Sequence, residues 1–110
     1  MHRLIADNLD QIRRLCEEFG VERLEAFGSI NTPDFDPDRS DVDFLVTYPE
    51  GYTFGPWLRR YFQLEERLAE TLDRKLDLVQ ATTLRRDRFR RLADQTRQVI
   101  YVAPKIAALA

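Results

Sequence analysis

The chain has 110 residues, 44% of them hydrophobic and 33% charged, a globular composition with room for one domain and a modest core. A formal net charge of −2 excludes the global basic signature of a nucleic-acid binder, and no apolar run approaches membrane-spanning length. The lone cysteine, Cys16, excludes an internal disulfide and fits a reducing cytoplasm, and Asp7 interrupts what would be the apolar region of a signal peptide.

In chain order, residues 3–19 place Ile5, Leu9, Ile12, Leu15, Cys16 and Phe19 at helical spacing, with Gly20 as the stop. A strand is expected over 22–27, with Leu24 and Ala26 on one face. A turn and spacer occupy 28–40, and a second strand spans 41–48. Gly and Pro break the chain between Pro49 and Pro56. The next helix is expected over 56–72, its buried face marked by Trp57, Leu58, Tyr61, Leu64, Leu68 and Leu72, with Pro56 at the first helical position. A third strand follows at 75–80, a short helix at 83–94 and a final strand at 97–103. Arg85, Arg86, Arg88, Arg90, Arg91 and Arg97 cluster late in the chain. They read either as a solvated face paired with Asp87 and Asp94, or as a docking face for an acidic protein or an RNA backbone.

The chemistry lies in Phe27-Gly28-Ser29 and, twelve residues after Ser29, Asp41-Val42-Asp43. Residues two apart on a strand face the same side, so Asp41 and Asp43 project together while Val42 and Phe44 point into a core. Carboxylates inside an apolar run repel one another unless a cation binds both. Asp77, between Leu76 and Leu78, joins them if its strand lies beside the second. With His2 the only histidine and Cys16 the only cysteine, the donor set is all oxygen. That suits Mg²⁺ or Mn²⁺ and disfavours zinc. Three carboxylates around two metals clamp the attacking and leaving oxygens of an in-line displacement. Gly28 permits close backbone approach, and the amides and hydroxyl of the Gly28-Ser29 turn are expected to take the terminal phosphates.

The set Phe27-Gly28-Ser29, Ser40-Asp41-Val42-Asp43-Phe44-Leu45-Val46 and Leu76-Asp77-Leu78-Val79 resembles the nucleotidyltransferase superfamily of the DNA polymerase β type. In size and order it is similar to the minimal nucleotidyltransferase (MNT) domains, over roughly residues 3–103. The resemblance implies an α/β (α+β) fold, a small mixed sheet of about four strands flanked by helices, with residues 1–110 forming one such domain. It implies that Asp41, Asp43 and Asp77 are catalytic and bind metal, and that Gly28 and Ser29 bind the nucleotide. It further implies an antitoxin that transfers AMP from Mg-ATP to a tyrosine of a HEPN ribonuclease toxin in the cytoplasm, without itself binding nucleic acid or membrane. The spacer 30–40 departs from the family pattern: it is one residue longer, lacks glycine, and carries Asp34, Asp36 and Asp38 with a single late arginine, Arg39. The alternative is an antitoxin of weak or no activity that neutralises its toxin by binding alone.

Overall fold

The computed structural model describes residues 1–83, 91 and 94–104, and their centre is one four-stranded sheet. In chain order the elements are α1 (Arg3–Ala6), α2 (Leu9–Glu18), β1 (Arg23–Phe27), β2 (Val42–Thr47), α3 (Arg59–Leu72), β3 (Leu76–Gln80) and β4 (Gln98–Val102). Short 3-10 turns occupy Gly28–Asn31, Pro56–Leu58 and Ala81–Thr83. The sheet order is β3-β2-β1-β4. β1 pairs antiparallel with both β2 and β4, whereas β2 and β3 run parallel. Parallel neighbours need a crossover connection, and α3 supplies it. The mixed sheet flanked by helices is the expected architecture.

Strict alternation divides the sheet into two faces. Leu24, Ala26, Val42, Phe44, Val46, Leu76, Leu78 and Ile100 form the main core with Ile12, Leu15 and Cys16 of α2 and Leu64, Leu68 and Leu72 of α3. Each fully buried Leu or Ile of this set contributes about 2 kcal/mol of transfer free energy. Phe27 and Leu45 form a smaller cluster with Val79 and Ala81. Cys16 is fully buried, and that burial pushes its thiol up to about 12, so it packs as a small hydrophobe and is not a nucleophile.

The first helix divides at Asp7 and Asn8, where the Asn8 amide donates back to the Leu4 carbonyl at 2.9 Å and competes with the helical ladder. His2 caps α1 by accepting the Leu4 N–H at 3.0 Å, and its ring meets Phe35 edge-on. At the other end of α2, Gly20 sits at φ +67°. Gly20 N–H reaches Glu17 O at 3.2 Å and Val21 N–H reaches Cys16 O at 2.9 Å, which closes the helix in a Schellman motif. The stop expected at Gly20 is therefore real.

The start of the 56–72 helix differs from expectation. Trp57 and Leu58 both adopt left-handed backbone, at φ 55°, so α3 begins at Arg59. This kink breaks the helical phase that would have carried Trp57 inward. Trp57 is 94% exposed, and Leu58 and Phe62 are exposed with it, whereas Leu64, Leu68 and Leu72 are buried as expected. Tyr48, Tyr52 and Phe54 stack on one another instead, and the Tyr52 hydroxyl donates to the carbonyl of Phe19 at the end of α2.

Most of the expected helix 83–94, with Arg85, Arg86, Arg88 and Arg90, and the tail 105–110 lie outside the described residues. Arg97 is described and is structural. It pairs bidentately with Glu25, at 2.6 and 3.1 Å, and also with Asp94. Glu25 is only 1% exposed, and Arg23 reaches it at 3.0 Å. Asp94 was among the partners expected for these arginines; the pairing with Glu25 was not foreseen.

Helix α3 ends on Asp73 at φ +51°, with Arg74 N–H bonded to Ala69 O at 3.1 Å. An L side chain in this conformation is costly and glycine is not. Asp73→Gly is expected to stabilise the fold by about 0.5–1 kcal/mol and raise Tm by about 2–6 °C. Thermal denaturation followed by circular dichroism checks it.

Candidate active site

Strand register builds the site. Phe27 is the antiparallel partner of Asp43, and Asp43 is the parallel partner of Asp77. Phe27, Asp43 and Asp77 therefore form one row across three adjacent strands. Hydrogen-bonded strands lie about 4.8 Å apart, so the two carboxylates meet side by side. Asp41, two residues before Asp43, sits just outside the start of β2 and is exposed. The opposite face of the same residues is Val42 and Phe44, fully buried in the main core. The register sets Asp43 against Asp77, and Asp41 lies near enough to act on Asp43 through its charge.

Their mutual effect is visible in Asp43. Its carboxyl is raised from 3.8 to about 6. Burial contributes most, followed by the charge of Asp77, the charge of Asp41, and a hydrogen bond with Asp77. These are the signatures of partial desolvation and like-charge repulsion. Asp77 also contributes to raising the Tyr61 hydroxyl, after burial and Glu65; that hydroxyl donates to the Leu78 carbonyl. Tyr61 thus ties α3 to the strand that carries Asp77, a connection the sequence did not disclose.

Gly28 closes the site from the β1 side. It has φ +78°, and a Cβ built there would lie 2.7 Å from Asp43 Oδ2. A side chain there would strain the backbone and force the Asp43 carboxylate to shift, so glycine keeps the central acid in place. The Gly28 amide, expected to face phosphate, instead donates to Thr96 Oγ1 at 2.8 Å. The Ser29 carbonyl accepts the Thr32 amide at 2.9 Å and the Thr32 hydroxyl at 2.8 Å. Ser29 itself is half-buried. Asn31 spans this turn, donating to Ala26 O at 3.0 Å and Thr96 O at 2.5 Å. Asn31 and Thr96 were not identified from the sequence; Thr96 lies 68 residues from Gly28, with no local pattern to mark it.

The spacer between Ser29 and Asp41 is anchored at both ends of its run. Phe35 packs between the His2 ring, centroids 4.8 Å apart, and the Arg74 guanidinium, 6.0 Å from its centroid. Arg74 also donates to Pro37 O at 2.6 Å, and the Asp36 amide donates to Ser40 Oγ at 3.0 Å. This packing delivers the chain into β2 with Asp41 beside Asp43.

Among the described residues, no three His, Cys, Asp or Glu side chains are already gathered closely enough to hold a metal unaided. The donor chemistry still fits a hard divalent cation. Magnesium needs only one or two carboxylates when phosphate oxygens and water fill the rest of its octahedron. A cation beside Asp43 and Asp77 also removes the repulsion that raises Asp43.

The structure thus sets paired carboxylates on a small mixed sheet against a glycine turn. A model of the nucleotidyltransferase domain family matches residues 9–100, and the chain belongs to that family. A protein adenylyltransferase, MntA of Thermococcus cleftensis, is 37% identical over 73 residues, which cover 66% of this chain and 69% of that protein. Among solved structures, one described as a minimal nucleotidyltransferase is 26% identical with a TM-score of 0.69, covering 89% of this chain and 95% of its own. An MNT antitoxin bound to a tri-AMPylated HEPN toxin of Shewanella oneidensis shares the fold at 19% identity, with a TM-score of 0.61 over 94% of this chain and 77% of that one. A toxin–antitoxin structure with AMP-PNP matches at 20% identity and a TM-score of 0.64, over 93% and 79% of the two chains.

The Asp43 shift fixes a pH dependence. A carboxyl raised in the fold binds its proton more tightly there than in the unfolded chain, so its contribution favours folding below about pH 4 and is lost as pH rises through about 6. Asp43→Asn is therefore expected to stabilise the metal-free protein at pH 7, by about 1 kcal/mol after allowing for solvent screening, and to leave stability at pH 4 nearly unchanged. Urea denaturation at the two pH values measures both.

Proposed function

We propose that this chain is a single minimal nucleotidyltransferase domain that transfers AMP from Mg-ATP to a tyrosine hydroxyl of a partner HEPN toxin and so silences it. The observation that carries the reading is the register row that sets Asp43 against Asp77 with Gly28 packed on Asp43 Oδ2. The 37% identity to a protein adenylyltransferase supports AMP as the transferred group and a protein as the acceptor.

Asp41, Asp43 and Asp77 are the residues that would hold divalent ions, which supply charge neutralisation for the triphosphate when bound. Ser29, in the Gly28–Asn31 turn, holds the β- and γ-phosphates. Gly28 contributes by letting that turn pack directly on Asp43. The acceptor tyrosine oxygen forms a bond to the α-phosphorus, the bond from that phosphorus to the β-phosphate oxygen breaks, and pyrophosphate leaves. The phenolic proton passes to a carboxylate of the acidic cluster, and Asp77, exposed on the edge strand, is the group that would take it. Positioning and electrostatics supply most of the acceleration, because the protein forms no covalent bond of its own. The bound AMP sets a charged group on the toxin surface where RNA must lie. The lone buried thiol is in keeping with a reducing, cytoplasmic setting.

The test is incubation with the cognate toxin, Mg²⁺ and labelled ATP, read by intact mass and by ribonuclease activity. Wild type is expected to add AMP, and Asp43→Asn or Asp77→Asn to lower the rate at least about a hundredfold while remaining folded. Wild type that adds no mass yet still silences the toxin would instead establish neutralisation by binding alone.

A further inference from the structure

Gly28 and Ser29 cannot hold a triphosphate unless their turn is fixed relative to Asp43, and two residues outside the recognised motif fix it. The Gly28 amide donates to Thr96 Oγ1 at 2.8 Å. The Asn31 side-chain amide spends both hydrogens on carbonyls, Ala26 O at 3.0 Å and Thr96 O at 2.5 Å. One bond returns to the strand from which the turn departs; the other crosses to the segment leading into β4. Thr96 is therefore held through its carbonyl by Asn31 while its hydroxyl holds Gly28. The segment is itself anchored one residue later, where Arg97 forks onto the buried Glu25 in the middle of β1. The chain runs Glu25, Arg97, Thr96, Gly28, and ends against Asp43, whose Oδ2 lies 2.7 Å from the position a Gly28 Cβ would take.

We propose that Asn31 and Thr96 are positioning residues for the nucleotide: together they clamp the Gly28–Asn31 turn at a fixed distance from Asp43 and thereby set the affinity for the triphosphate. The inference rests on the nucleotidyltransferase reading above and adds the residues that make its phosphate grip rigid. The bonds are partly buried and border an open cavity of about 520 Å³. Water can replace a lost bond there, so breaking the clamp loosens the turn without emptying the core. A loosened turn must be ordered when the triphosphate binds, which weakens binding; the acidic row that acts on the bound substrate is left in place.

The experiment measures KM for Mg-ATP and kcat in AMP transfer for wild type, Thr96→Val, Thr96→Ser and Asn31→Ser. Gly20→Ala, which strains the end of α2 away from the turn, serves as a control for lost stability. Thr96→Val keeps the shape and removes the hydroxyl. It is expected to raise KM about tenfold with kcat within about twofold, and Thr96→Ser to restore the wild-type KM. Asn31→Ser is expected to raise KM similarly and carries the same test if Thr96→Val does not fold. Hydrogen exchange of the Gly28 amide is expected to quicken in Thr96→Val and not in Thr96→Ser. An unchanged KM in folded Thr96→Val or Asn31→Ser, or an equal rise in Gly20→Ala, overturns the proposal and leaves the enzymatic reading intact. Wild type that neither binds nor turns over Mg-ATP overturns both.

Discussion

The site depends on an unfavourable contact: two carboxylates placed side by side by parallel strand pairing. Asp43 faces Asp77 because β2 and β3 share that register, and α3, the crossover between them, is pinned to the core by Leu64, Leu68 and Leu72. The apolar face of the same strands fixes the register. A slip of one residue would put Val42 and Phe44 in water and the aspartates in the core. The hydrophobic core thus holds the acids against their own repulsion. The strain is recorded in Asp43, and a divalent cation bound between the two acids would relieve it.

The β1 side of the site is organised differently, by polar contacts. Glu25, nearly inaccessible to solvent, is neutralised by Arg23 and Arg97, and that pairing seats the segment 94–97 against β1. Breaking one partner of a buried ion pair leaves an uncompensated charge, so this anchor resists removal. Thr96 rides on it, and the turn after β1 is fastened to Thr96. Two walls therefore face each other across Asp43, one set by apolar packing and one by a buried ion pair with its hydrogen bonds. The exposed Trp57, Leu58 and Phe62 belong to neither wall. They stand at the start of α3, where a left-handed kink turns them outward.

The parts of this structure that follow a period were legible in the sequence. Alternation in Val42-Asp43-Phe44-Leu45-Val46 and in Leu76-Asp77-Leu78-Val79 marked both strands, and the aspartates stood out because each interrupts an apolar run. Gly28 was legible as the glycine of a turn needing close backbone approach, but its closeness to the Asp43 carboxylate was not. Contacts made by single side chains across long sequence distances were not legible. Thr96 has nothing in its neighbours to link it to Gly28, and Arg97 looked like one more cation in a basic segment. Trp57 was misplaced because helical spacing aligns it with Tyr61, Leu64 and Leu68, whereas two left-handed residues break that phase. The division of the first helix at Asp7 and Asn8 was hidden in the same way: the apolar spacing continues across a break made by polar side chains.

Asp43 is held against Asp77, a contact that a bound cation would relieve. Carbon-13 NMR of the Asp43 carboxyl, titrated with and without Mg²⁺ and a non-hydrolysable ATP analogue, tests it directly. A midpoint near 6 in the free protein, moving below the ordinary carboxylate range once both ligands are present, is the expected result. A midpoint near 3.8 in the free protein, or one that ignores the added ligands, would contradict it.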